Sequence, residues 1–108
     1  KKMQNIFVVM DKLYEKFTGT KYEKELEYIY IEHLLHAGSL RFFNYEEGKK
    51  DICKITNIMK ERFPNWRKNE YYKRNGFKYR VICELFYLKK FGLLSIILGG
   101  KNGKFKSN

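Results

Sequence analysis

Two histidines and two glutamates in the first half of the chain are the residues best suited to chemistry. His33 and His36 lie three residues apart beside Glu32, which is a spacing that H-x-x-H metal ligation could use. On a helical wheel His33 falls in an apolar stripe and His36 on a polar strip, and a zinc site would need further ligands from elsewhere. Glu25 and Glu32 lie on the same strip, about 10 Å apart. They could act as paired carboxylates, or they could simply make an exposed strip soluble. We predict a packed histidine bonded to a nearby tyrosine or glutamate, and no metal site.

Motifs for nucleotide or catalytic chemistry are missing from the sequence. The only aspartates, Asp11 and Asp51, fall in different predicted helices, and there is no D-x-D, phosphate-binding loop or dinucleotide fingerprint. Cys53 and Cys83 also fall in separate helices among apolar neighbours, which is typical of buried free thiols. A disulfide between them is the alternative that the sequence leaves open. We therefore predict no catalytic residue in this chain.

The positive charge is concentrated in the second half. Residues 1–59 carry 10 Lys/Arg against 9 Asp/Glu, whereas residues 60–108 carry 13 against 3. Such asymmetry indicates an anionic partner for the second half: phosphate-bearing lipid, nucleic acid or a phosphorylated substrate. The alternative is a solvated face that keeps the domain soluble.

The segment PNWRKNEYYKRN, from Pro64 to Asn75, interleaves aromatic and cationic residues. Such residues can stack on bases or sugars and hold phosphates. They can equally anchor a loop to the core, and we favour this role because a lone tryptophan, here Trp66, is usually buried. Asn69 is predicted to cap a short helix that begins at Glu70.

Apolar residues recur at helical spacing along most of the chain. The stretch from Tyr22 to Phe43 is apolar on two sides and should form a central helix with partners on both. Further helices are predicted over Asn5 to Phe17, over Asp51 to Phe63 or from a turn earlier, and over Lys78 to about Leu98. The predicted fold is all-α, a compact bundle of about four main helices. Residues 1–98 form one domain, and 99–108 a flexible basic tail.

The end of the fourth predicted helix, FGLLSIIL, is almost wholly apolar but far too short to span a bilayer. Basic residues upstream of an apolar end are typical of a helix lying at a membrane surface. The alternative is that its last turns dock into a core. The candidate anion-docking cations are Arg67, Lys68, Lys73, Arg74, Lys78 and Arg80. The candidate apolar anchor is Phe91, Leu93, Leu94, Ile96, Ile97 and Leu98.

Two strings, ELEYIYIEHLLHAGSLRFFNYEEGKK and IMKERFPNWRKNEYYKRNGFKYRVICELFY, resemble the C-terminal region of bacterial family 2 glycosyltransferases, which make capsule, cell-wall or related surface polysaccharides. The resemblance covers about residues 6 to 98. Its most distinctive part is the turn FPNW-x-x-N-x-Y-Y, carried by Phe63, Pro64, Asn65, Trp66, Asn69, Tyr71 and Tyr72.

The resemblance implies a non-catalytic accessory domain. The family's catalytic domain is an N-terminal α/β nucleotide-sugar fold with an acidic metal-binding motif, and none of its motifs matches here. The parent enzyme would use a nucleotide sugar and a divalent metal. This chain, which begins Lys-Lys and is expected to be a fragment, would steady that domain. It would also contact acceptor, or hold the enzyme at the cytoplasmic face of the inner membrane, where lipid-linked acceptors are made.

Two other functions fit the composition. A small basic nucleic-acid-binding helical module would explain the charge and the interleaved aromatics, but no helix-turn-helix spacing is recognisable. A protein-interaction bundle would use the apolar FGLLSIIL segment to meet a partner or a second copy.

Overall fold

The computed structural model describes residues 5–99, which contain helices and turns but no strand. The long helices are α1 (Asn5–Phe17), a continuous central helix, α4 (Gly48–Arg62) and α6 (Phe77–Tyr87). The central helix consists of α2 (Glu23–Tyr30), a π-helical segment (Ile31–His36) and α3 (Ala37–Phe43). Shorter pieces are a 3₁₀ turn (Trp66–Lys68), α5 (Glu70–Lys73), α7 (Phe91–Leu94) and a π-helical end (Ser95–Gly99). The predicted all-α bundle with four main helices is confirmed.

The central helix has protein on two sides, as its sequence predicted. Its fully buried residues Tyr30, Ile31, Leu34 and Leu35 form the middle of the core. The core is completed by buried apolar side chains from α1, α4 and α6: Phe7, Met10, Ile52, Ile55, Met59, Ile82, Cys83 and Phe86.

The π-helical segment depends on small residues that follow it. A Cβ on Gly38 would lie 2.8 Å from the carbonyl oxygen of His33, so glycine permits this close approach. The buried hydroxyl of Ser39 donates to the carbonyl oxygen of Leu34, five residues earlier, at 3.2 Å. This spacing matches the i to i+5 pattern of a π-helix. Gly38 and Ser39 thus permit and stabilise the widened turn of the helix itself.

The turn between α3 and α4 is equally tight. A Cβ on Gly48 would lie 1.8 Å from the carbonyl oxygen of Phe42, so no other residue fits without moving the backbone. The helix α4 begins at this glycine, a turn before Asp51, and it ends at Arg62, shortly before Pro64.

The predicted single helix from Lys78 to about Leu98 is wrong in its second half. After α6, Lys89 adopts a left-handed conformation with φ 56°. Its N–H donates to the Phe86 carbonyl at 3.0 Å, and that of Lys90 donates to the Leu85 carbonyl at 2.9 Å, which is a Schellman termination. The break allows Leu94 to become fully buried.

The segment after the break, α7 and the π-helical end, is the last part of the chain that the structure describes. Phe91 stacks on Phe43 with ring centroids 5.9 Å apart, which fixes α7 against the central helix. Within residues 5–99, no helix is both long and apolar enough to cross a membrane. The predicted flexible tail lies outside the described residues except for Gly99.

Candidate anion-binding groove

Three aromatic rings of the turn motif, those of Phe63, Trp66 and Tyr72, are part of the core. Trp66 is fully buried, with its ring centroid 5.0 Å from that of Tyr72 and 5.2 Å from that of Tyr87. Phe63 packs edge-on against Tyr30 at 5.0 Å. The predicted anchoring role of Trp66 is confirmed, and these rings are closed to an external ligand.

Asn69 fastens the same turn to the central helix. Its side-chain oxygen accepts the N–H groups of Tyr71 and Tyr72 at 2.9 and 3.1 Å, which confirms the predicted helix cap. Its amide nitrogen donates to the Lys24 carbonyl at 3.0 Å and to the Glu27 carboxylate at 2.8 Å. Burial raises the pKa of Glu27, and the hydrogen bond from Asn69 opposes that rise. This part of the motif is explained by structure alone.

Three of the six candidate cations line one groove between α5 and α6. Arg67, Lys73 and Arg80 lie around a cavity of about 500 Å³, whose wall also includes the apolar residues Phe77, Val81 and Leu85. One carboxylate, Glu84, lies among them. Its Oε2 accepts from Arg67 Nε at 2.6 Å, so the groove keeps two cations whose charges it does not neutralise. We call this cavity the basic groove.

The basic groove has the chemistry of a phosphate site. A guanidinium offers paired donors to phosphate oxygens, and an ammonium adds a mobile point charge. Arg67 is held in place by Glu84 and by the faces of Trp66 and Tyr87, each 4.8 Å from its guanidinium carbon. The hydrogen bond that Arg67 donates to Glu84 raises the pKa of Arg67.

The other three candidate cations are placed differently. Arg74 lies 3.9 Å from Glu70 and over the ring of Tyr71. Lys68 lines a separate groove on the far side of the turn, where Glu23, Glu27 and Glu70 offset the charges of Lys24 and Arg62. Lys78 is exposed in the first turn of α6. The structure therefore brings together only half of the candidate set.

The candidate apolar anchor is divided between core and surface. Leu94 is buried, and Phe91, Ile97 and Leu98 are half-buried. Leu93 and Ile96 are exposed, by 51% and 68%. Only these two side chains of the anchor are largely open to a partner.

The histidines do not occupy the positions predicted from the wheel. His33 is exposed, whereas His36 is half-buried and stacks on Tyr79 with ring centroids 4.0 Å apart. The reason is the π-helical segment, which winds more slowly than the ideal α-helix of the wheel. Burial lowers the pKa of His36. A packed histidine was predicted, but its contact is a ring stack.

Glu32 organises the side chains around that stack. Its Oε1 accepts from the hydroxyls of Tyr28 at 3.1 Å and Tyr79 at 2.8 Å. Burial, and then the bond to Glu32, raise the pKa of Tyr79. Glu25 is likewise engaged, since its Oε2 accepts from Tyr71 at 2.9 Å. The two carboxylates thus bind separate tyrosines.

Neither a metal cluster nor a disulfide occurs in the part of the chain that the structure describes. No three His, Cys, Asp or Glu side chains there are grouped to hold a metal ion. Cys53 and Cys83 are both free, as predicted, but only Cys83 is fully buried, and burial raises the pKa of its thiol.

The apolar wall of the basic groove was not predicted from the sequence. Phe77, Val81 and Leu85 recur every four residues, and this signal was available. The apolar face of this helix was assigned instead from the stronger stripe on the opposite side, which consists of Tyr79, Ile82 and Phe86.

Comparison with known proteins adds no identification. The chain matches no protein-family model, no curated protein and no solved structure.

Proposed function

We propose that this chain is the non-catalytic C-terminal helical domain of a family 2 glycosyltransferase that acts in surface polysaccharide synthesis. The resemblance over about residues 6 to 98, and above all the FPNW turn, supports this proposal. The catalytic domain would precede it in the same chain and would use a nucleotide sugar and a divalent metal.

The domain's own task in this proposal is to dock to an anionic membrane surface. The observation that carries it is the basic groove, where Arg67, Lys73 and Arg80 converge around a single carboxylate that Arg67 already engages. Lipid phosphates at the cytoplasmic face of the inner membrane would be its ligands. Each basic residue near such a surface contributes about 1 kcal/mol to binding.

Vesicle flotation tests the docking role. The chain should float with vesicles of phosphatidylcholine and phosphatidylglycerol, but not with phosphatidylcholine alone. The double variant Lys73→Glu/Arg80→Glu should bind the mixed vesicles at least about 30-fold more weakly, because two attractive charges are lost and two repulsive ones are gained.

A matched control separates the groove from net charge. Lys12→Glu/Lys60→Glu makes the same charge change at two exposed sites on α1 and α4. It should retain most of the binding. Equal binding to both vesicle types, or equal losses in the two double variants, would remove the basic groove from the proposal.

The nucleic-acid alternative loses its best support in this structure. Its stacking platforms would have been Trp66, Tyr71 and Tyr72, and of these rings Trp66 and Tyr72 are buried while Tyr71 is only half-buried. A gel shift that weakens steeply with salt and survives Lys12→Glu/Lys60→Glu but not Lys73→Glu/Arg80→Glu would favour this alternative over lipid.

A further inference from the structure

The helix α6 is apolar on two opposite faces, of which one faces the core and the other is only partly covered by the described protein. Ile82, Cys83 and Phe86 face the core. On the other side, Phe77, Val81, Leu85 and Leu88 follow one another at intervals of four, four and three residues, which aligns them on one helical face. We call this set the outer stripe.

The outer stripe is open to solvent at both of its ends. Phe77 is 77% exposed and Leu88 is 50% exposed, while Val81 and Leu85 between them are half-buried. The stripe is about 16 Å long, from the rise of an α-helix. A phenylalanine this exposed at the start of a helix contributes little to the stability of the domain itself.

Cations surround the outer stripe. Lys73 and Arg80 lie beside it in the basic groove, and Lys89 and Lys90, both exposed, follow Leu88 directly. Glu84, the carboxylate within the stripe's face, is bonded to Arg67. The face is therefore apolar along its middle and positive at its edge and end.

We propose that α6 lies flat in the interface of an anionic membrane, with Phe77 and Leu88 inserted among the acyl chains. This inference rests on the proposed membrane docking and specifies which side chains enter the lipid. Interfacial helices pair an apolar face of Phe and Leu with Lys and Arg that reach the headgroups. A protein partner fits less well, because lysine is depleted in protein–protein interfaces.

The inserted side chains can be identified by lipid-specific quenching. Phe77→Trp places an indole on the outer stripe, while the native Trp66 is buried and should be shielded. With phosphatidylcholine–phosphatidylglycerol vesicles that carry brominated acyl chains, Phe77→Trp should lose fluorescence relative to non-brominated vesicles.

Two further tryptophan variants locate the contact. Val8→Trp, on an exposed position of α1, should not be quenched beyond the wild-type chain. Ile96→Trp, at the apolar end of the chain, should be quenched less than Phe77→Trp. If Phe77→Trp floats with the vesicles but is not quenched, the inserted stripe is wrong while electrostatic docking stands. If the wild-type chain does not float, both proposals fail.

A polar double variant tests the same inference by affinity. Phe77→Ser/Leu88→Ser should bind the mixed vesicles at least about tenfold more weakly, because two apolar groups no longer leave water. Val8→Ser/Val9→Ser, also exposed, should bind as the wild-type chain does, and circular dichroism checks that both variants fold. Unchanged vesicle binding together with loss of a sedimenting dimer would show that the stripe meets a second copy, which overturns the proposal.

Discussion

The turn at residues 63–75 and the outer face of α6 contain similar residues in opposite situations. Both combine aromatic rings with Lys and Arg. In the turn, Trp66 and Tyr72 are buried and Asn69 bonds to four backbone or side-chain groups. On α6, the ring of Phe77 is largely exposed, and Arg80 forms no ion pair within residues 5–99.

The contrast separates a structural motif from a surface that is available for binding. The composition of the turn allowed either ligand stacking or anchoring to the core, and its rings contact each other and the central helix, as the favoured anchoring role requires. On the outer face of α6, by contrast, Phe77 and Arg80 are both exposed. Burial and bonding, more than residue type, distinguish the two.

The largest expected effect comes from removing one aromatic ring in each region. Trp66→Ala should lower the free energy of unfolding by about 3–5 kcal/mol, because it empties a fully buried site. Phe77→Ala should change it by less than about 0.5 kcal/mol, because that ring is exposed. Urea unfolding followed by circular dichroism measures both. Similar losses in the two variants would contradict the division between the regions.

The next effect concerns the amide that fastens the turn. Asn69→Ala should cost about 1–3 kcal/mol, because it removes the cap of α5 and leaves buried polar groups without partners. Asn65→Ala, four residues earlier and exposed, is the matched control and should be nearly neutral. If Asn69→Ala unfolded at the same urea concentration as Asn65→Ala, the turn would owe its position to the aromatic contacts alone.

Most of the helical framework could be predicted from apolar spacing. The bounds of α1, the two-sided burial of the central helix and the cap at Asn69 all follow from local patterns in the sequence. The break after α6 could not be predicted in this way, because the left-handed residue there is Lys89, without the Gly or Asn that usually marks such a position.

The candidate site was predictable only in part. The charge asymmetry predicted Arg67, Lys73 and Arg80 among the candidate anion-docking cations. The sequence could not show that Arg74 lies beside Glu70 or that Lys68 lines another groove. The histidines were misplaced because an ideal wheel does not include the π-helical segment at residues 31–36. The grouping of the cations depends on tertiary geometry, and the position of the histidines on a local change of helix type, and apolar periodicity encodes neither.

A smaller effect should appear as a pH dependence in the turn. Burial raises the pKa of Glu27 above its usual 4.5, so the folded state holds that proton more tightly than the unfolded chain. Glu27 therefore contributes stability below about pH 4.5 that is lost as the pH rises through the raised pKa.

Glu27→Gln should remove this dependence and keep an acceptor for Asn69. At pH 7 it should stabilise the fold slightly, because a neutral amide avoids the cost of desolvating a carboxylate that is half-buried. Glu61→Gln, exposed on α4, removes the same charge as a control. A stability profile for Glu27→Gln that parallels the wild type from about pH 4 to 7 would show that Glu27 is not the cause.

The smallest expected effect lies where the outer stripe ends. Lys89 has φ 56°, a conformation that costs a non-glycine residue about 1–2 kcal/mol. Lys89→Gly should relieve that cost, offset by about 0.5–1 kcal/mol of extra backbone entropy in the unfolded chain. We therefore expect Lys89→Gly to be more stable than Lys89→Ala by about 1 kcal/mol or less, with the same loss of charge in both.

The comparison of these two variants tests the geometry of α6 itself. The left-handed turn ends α6 at Tyr87, and it allows Leu94 to enter the core while Leu88 stays on the surface. If α6 instead ran on into α7 as one helix, the substituted position would be interior to that helix, and Lys89→Gly would be less stable than Lys89→Ala. The sign of the difference in urea midpoint therefore decides whether Leu88 stands at the end of α6, where the outer stripe needs it.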